Sequence, residues 1–121
     1  KEVEYHVDHA NQWILRLGLG TEESKRRVQA GLNYMWPYLD ELFEDLPVHE
    51  KLAAEEIAVL PSSLRAEFDE RIAHVLGKAE LDIPQVKQAR SGQRGGGFSE
   101  YRGYILAEMQ SLARQHPGAT W

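Results

Sequence analysis

The chain has 121 residues, a formal net charge of −5, 42% apolar and 27% charged residues, and no cysteine. This is one domain's worth of an ordinary globular composition, and it excludes a disulfide scaffold and a thiolate metal site. It also argues against a nucleic-acid module, and no apolar run approaches the roughly 20 residues of a membrane span. The charge is uneven: residues 1–60 carry a net of −6 and residues 61–121 a net of +1.

In chain order, Val3, His6, Val7, Ala10, Trp13, Ile14 and Leu17 recur at helical spacing and predict an amphipathic first helix with that stripe inward. Gly18-Leu19-Gly20 is expected to end it through glycine's left-handed conformation. Thr21 reads as the N-cap of a second helix over about Glu22–Glu44, with Glu22 and Glu23 in its first turn. Pro37 lies inside that span and predicts a kink or break near Asn33–Trp36. A short helix follows, over about Val48–Ile57, and another runs from Pro61 to about Leu76. Pro84 is expected to open a turn through Gln88. Ser91–Gly97 (SGQRGGG) reads as a loop. Ser99 is expected to cap a last helix through Gln115, with Ile105, Leu106, Met109 and Leu112 inward. Nothing alternates with period two, so the class is all-α, with about five helices and no sheet.

Several groups could carry chemistry. Glu2, Glu4, His6, Asp8 and His9 crowd the first helix. Carboxylate-bridged di-iron sites take Glu-x-x-His pairs from bundle helices. Here Val3 stands three residues before His6, and His6 three before His9, so the pair is absent. Glu2 and His6 could share a metal as i, i+4 neighbours, but His6 reads more simply as a hydrogen-bonded core histidine. Asp40, Glu41, Glu44 and Asp45 read as the wet end of a helix rather than an acid–base pair. Lys87, Arg90, Arg94 and Arg102 make the surroundings of the glycine-rich loop basic and form a candidate anion contact. The spacing lacks the lysine and hydroxyl ending of a phosphate loop, and a plain surface loop is the simpler reading.

Aromatic residues are the stronger signal. Trp13, Tyr34, Trp36, Tyr38, Phe43 and Trp121 put bulk on more than one helix face. Such helices want more than one neighbour, so these six are candidate partner-interface residues, against tight internal packing as the alternative.

Three blocks resemble one family. RLGLGTEESKRRVQAGLNYMWPYLDELFE (Arg16–Glu44), GYILAEMQSLARQHPGATW (Gly103–Trp121) and KEVEYH (Lys1–His6) are similar, in that family's order, to the PaaC-type structural subunit of the bacterial phenylacetyl-CoA epoxidase, a ring-hydroxylating oxygenase complex. The resemblance is weaker between Pro47 and Gln93. It implies a ferritin-like bundle, of which residues 1–121 are a single helical domain and a C-terminal portion. It implies a cytoplasmic complex in aerobic phenylacetate degradation. The expected partners are a homologous catalytic oxygenase subunit, which holds the di-iron cofactor, and the complex's other subunits; neither nucleic acid nor membrane is expected. In this chain no cofactor and no catalytic residue is expected. His6 would be vestigial, with Val3 in the lost glutamate position. Phe98 and Tyr101, flanking Ser99-Glu100, depart from the family's histidines there. Two other readings stay open: a metalloenzyme in its own right using Glu2, His6 and His9, and a homo-oligomeric helical module burying the stripes Val3–Leu17 and Val28–Phe43.

Overall fold

A computed structural model describes residues 1–89 and 97–120. Among the described residues there are α-helices and short 3-10 turns and no strand, as the sequence pattern predicts. They fall into two compact units, Lys1–Ala89 and Arg90–Trp121.

In the first unit, α1 (Glu2–Gly18) turns into α2 (Glu22–Met35) through Leu19, Gly20 and Thr21. Thr21 is the N-cap: its hydroxyl accepts from the Ser24 amide at 3.1 Å. The Ser24 hydroxyl reaches back to the Leu17 carbonyl at 2.8 Å, so the same turn satisfies an orphan acceptor of α1. The two glycines do not serve as left-handed terminators. Among the described residues Gly118 is the one glycine with positive φ. Gly18 and Gly20 are required by close approach instead. A Cβ on Gly18 would stand 2.4 Å from the Ala79 carbonyl oxygen, and one on Gly20 would stand 2.7 Å from the Ser24 hydroxyl.

Pro37 breaks the second helix as expected, because it has no N–H to donate and crowds the preceding turn. The chain leaves α2 at Met35 and continues as two 3-10 turns, Trp36–Tyr38 and Asp40–Phe43. The next helix, α3, spans Pro47–Ala54, shorter than the sequence suggests. Its entry is closed by His49, whose Nδ1 accepts from the Leu46 amide at 3.2 Å. Glu56, at φ 56°, ends the segment in the left-handed region.

After a 3-10 turn at Pro61–Leu64 comes α4 (Arg65–Lys78). Its end is a left-handed stop at Glu80, φ 53°, and the Leu81 amide folds back to the Leu76 carbonyl at 3.0 Å. That turn brings Leu81 onto Leu76, the hydrophobic contact that accompanies such a stop. Leu76 (2% exposed), Ala79 (0%) and Leu81 (7%) form the buried centre. Ile14 and Leu15 of α1, Val28 and Leu32 of α2, Trp36 and Ile72 pack around it.

Residues 81–89 form no helical turn at Pro84. They run as an irregular strap beside α2, because side chains and carbonyls of α2 and the following turn take over their backbone hydrogen bonds. The Gln29 amide group donates to the Asp82 carbonyl at 3.0 Å and accepts from the Asp82 amide at 2.9 Å. The Ala89 amide donates to the Pro37 carbonyl at 2.7 Å, which uses an acceptor freed by the broken helix.

In the second unit the described helix is α5 (Tyr101–Gln115). Its N-cap is Glu100 and not Ser99, whose side chain makes no cap; instead the Ser99 carbonyl accepts from the Arg102 amide at 3.2 Å. Among the described residues of its own unit α5 has no second helix against which to turn Ile105, Leu106, Met109 and Leu112 inward, and Ile105, Met109 and Leu112 are exposed. Among the described residues no helix is long and apolar enough to cross a membrane.

Candidate functional surfaces on the first helix

The first helix carries most of the candidate chemistry, and its orientation differs from the expectation. Its packed face is Ile14, Leu15 and Gly18, set against α2 and α4. Val3 is 75% exposed, and Val7, Trp13 and Leu17 are exposed as well, so the predicted inward stripe is only partly inside. The physical reason is a shortage of neighbours. Only the C-terminal half of α1 lies close enough to α2 and α4 to be buried.

His6 is exposed, not a core histidine, and lies edge-on to Tyr5 at 5.8 Å between ring centroids. His9 stacks on Tyr5 at 5.8 Å and 26°, and its Nε2 accepts from the Trp13 indole N–H at 3.1 Å. Arg16 lies over the Trp13 ring at 5.2 Å. Tyr5, His9, Trp13 and Arg16 therefore make one continuous ladder along the helix. Sequence reasoning set Trp13 both in the inward stripe and among the candidate interface aromatics, and missed the ladder, although the spacing 5, 9, 13 was there to be seen.

Val3 has no donor atom, and the Nε2 of His9 is already engaged by Trp13. Among the described residues no three His, Asp or Glu side chains are grouped closely enough to hold a metal ion.

Two members of the acidic cluster, Asp40 and Asp45, are structural clamps. Asp40 accepts from Arg65 Nη1 at 2.6 Å, and Arg65 Nε also meets Asp69 at 2.8 Å. The Arg65 guanidinium lies over Phe43, whose ring rests against Phe68 at 5.2 Å. Asp45 accepts from the Ser62 hydroxyl at 2.6 Å and the Ser62 amide at 3.0 Å. The hydroxyl and then the amide hold the Asp45 carboxyl below its ordinary value.

This shift predicts a pH effect. A depressed carboxylate stabilises the fold fully above its unfolded value, about 3.9, and loses that contribution as pH falls toward the lower folded value. Asp45→Asn is therefore expected to lower stability at pH 7 and to flatten the acid limb, so that the difference from the natural protein narrows as pH falls below about 4. Thermal melts followed by circular dichroism from pH 3 to 7 check it. An unchanged acid limb counts against a role for Asp45.

The candidate interface aromatics separate in the same way. Tyr34, Tyr38 and Trp13 are exposed, whereas Trp36 and Phe43 are half-buried within the unit. Trp121 lies outside the described residues. Of the candidate anion contacts, Lys87 is exposed in the first unit, Arg102 lies over Phe98 at 3.3 Å in the second, and Arg90 and Arg94 lie outside the described residues, as does most of the loop Ser91–Gly97.

Val7, Ala10, Leu64, Phe68, Ile72 and Val75 line a trough of about 630 Å³ between α1 and α4, and a second hollow of about 270 Å³ continues it toward Leu32 and Trp36. Its polar atoms come chiefly from Asn11, Glu67, Arg71 and His74 at the edges.

Comparison with known proteins places this architecture. The chain is 37% identical over 121 residues to the C-type subunit of the 1,2-phenylacetyl-CoA epoxidase of Escherichia coli (strain K12), in an alignment that takes in 100% of this chain and 49% of the relative. The chain thus spans about half the length of the curated relative it matches. The family model described as phenylacetic acid catabolic protein matches residues 1–121. The all-helical first unit, the blocks at both ends and this match agree: the chain belongs to the phenylacetic acid catabolic protein family.

Proposed function

We propose that this chain is part of a non-catalytic subunit that binds and stabilises the catalytic di-iron subunit of a phenylacetyl-CoA epoxidase complex. The observation that carries the reading is Val3. In α1 it occupies the position, three before His6, where a ferritin-like metal helix needs a carboxylate, and a valine side chain cannot coordinate iron. The likeness to the C-type subunit of the E. coli epoxidase supports the same assignment. The iron in the catalytic partner would supply dioxygen activation for ring epoxidation. The residues of this chain would hold that partner in place, and the ferritin-like bundle would be the frame that presents them.

The test uses the full-length protein, tagged in its own host grown on phenylacetate. A homologous subunit with intact Glu-x-x-His pairs is expected to co-purify in equal amount and to contain the iron. Stoichiometric iron in the isolated full-length protein, or loss of epoxidation on His6→Ala with the partner still bound, would overturn the reading.

A further inference from the structure

We propose that the trough between α1 and α4 is the seat of a helix of the same subunit, from the segment that precedes Lys1 in the full-length protein, and that Asn11 sets the register of that helix. This holds whether or not the subunit serves a catalytic partner.

The trough opens onto the core. Phe68, Ile72 and Val75 line it, and the smaller hollow that continues it ends on Leu32, Trp36 and Leu76. Among the described residues only Leu76, Ala79 and Leu81 are buried apolar residues. Protein interiors are close-packed, so a hollow that reaches a core from the side marks where that core is unfinished. Interfaces between separable proteins are only about as apolar as the rest of the surface. The walls here are aliphatic and aromatic, with polar atoms at the edges, and they fit a further layer of the subunit's own core.

The position of the trough selects the segment. The alignment takes in 49% of the relative, so about half of a subunit of that length lies outside residues 1–121, and the resemblance to a C-terminal portion puts it before Lys1. A third hollow, of about 590 Å³, begins at Lys1 and shares Val7 and Asn11 with the trough. From Lys1 to Val7 the helix rises about 9 Å, and a loop of about five residues spans up to about 18 Å. A segment that ends at Lys1 therefore turns straight into the trough. Its effective concentration there is on the order of millimolar, which a separate partner must exceed to displace it.

Asn11 gives the register. It is half-buried, lines all three hollows and makes no side-chain hydrogen bond among the described residues. Covering it with a purely apolar stripe would leave its amide unsatisfied. A single polar residue in an apolar helical seam selects the one alignment in which it meets a polar partner. Glu67 and Arg71 at the edge pair with each other and make no such demand. The incoming helix is thus amphipathic, with an amide or hydroxyl side chain inside its apolar stripe.

The test uses the full-length subunit purified without any catalytic partner. With benzoylphenylalanine in place of Val7, irradiation is expected to give a single intramolecular crosslink, to a residue before Lys1, located by mass spectrometry. Asn11→Leu in that background is expected to spread the crosslink over several sites at unchanged helicity, and Asn11→Gln to keep it at one. Hydroxyl-radical labelling of the natural full-length protein needs no variant. Val7 is expected to be labelled severalfold less than Val48, although in residues 1–121 the two are similarly exposed, at 50% and 53%. In residues 1–121 alone, where the trough is open, the two are expected to label alike. Equal labelling of Val7 and Val48 in the full-length subunit overturns the seat, as does a crosslink made only to an added catalytic partner or only between two copies. A crosslink that stays at one site in Asn11→Leu overturns the register role and leaves the seat.

Discussion

Gly18→Ala is expected to lower the thermal midpoint of the chain sharply, while Gly31→Ala raises it slightly. The two substitutions add the same methyl group to two helices. At Gly18 the new Cβ would meet the Ala79 carbonyl oxygen at 2.4 Å and the Ala79 Cβ at 2.9 Å. Ala79 cannot yield, because it is 0% exposed and its amide is bound to the Val75 carbonyl at 3.0 Å. Relief must come from separating α1 from the end of α4, which opens the contact around Leu76. Overpacking of this kind costs about 1–3 kcal/mol, and each kcal/mol moves the midpoint of a small domain by about 4–8 °C. At Gly31 nothing lies within 4 Å of the new methyl, and replacing a helix-interior glycine by alanine gains about 0.5–1 kcal/mol. Paired melts by circular dichroism check the contrast. If both variants melt alike, the close approach of α1 to Ala79 is not present in solution.

The same glycine illustrates what can be read from a sequence. Gly18-Leu19-Gly20 before Thr21 marks the end of a helix whatever the mechanism, and the end falls there. The mechanism differs, because a glycine tolerated for its conformation and one demanded by a neighbour 61 residues away look alike in the chain. Pro37 was legible for a local reason: a missing N–H breaks a helix in any surroundings. The strap over residues 81–89 was not, since its hydrogen bonds go to Gln29 and Pro37, far off in sequence. Ser99 lost the cap to Glu100 by one position, the usual margin at a helix end. For the candidate surface, helical period located an apolar stripe on α1 but could not say which part of it has a neighbour. Trp13 therefore stood both in the inward stripe and among the candidate interface aromatics, and the ladder from Tyr5 to Arg16 emerged only from ring geometry. Val3 in place of a carboxylate needed no structure, because it concerns which atoms are present.

Leu76→Ala is expected to be the most damaging single truncation in the first unit, and Val7→Ala one of the mildest. Leu76 is 2% exposed, at the centre of the cluster that joins α1, α2 and α4. Removing its branched end leaves a cavity that Ala79 and Leu81, pinned by the turn through Glu80, cannot fill. Truncations of this type cost about 2–5 kcal/mol. That is a large share of the total stability of a small domain, about 5–15 kcal/mol. Val7 has the same aliphatic chemistry but lines the open trough and is half in solvent, so its truncation removes little buried area. A change within about 0.5 kcal/mol is expected. Urea titrations of both variants measure the difference. Two large and equal losses would mean that the trough is covered in solution, and that α1 is supported on a face which α2 and α4 leave bare. One large loss and one small one would place the stability of the unit in the contact among Gly18, Leu76 and Ala79.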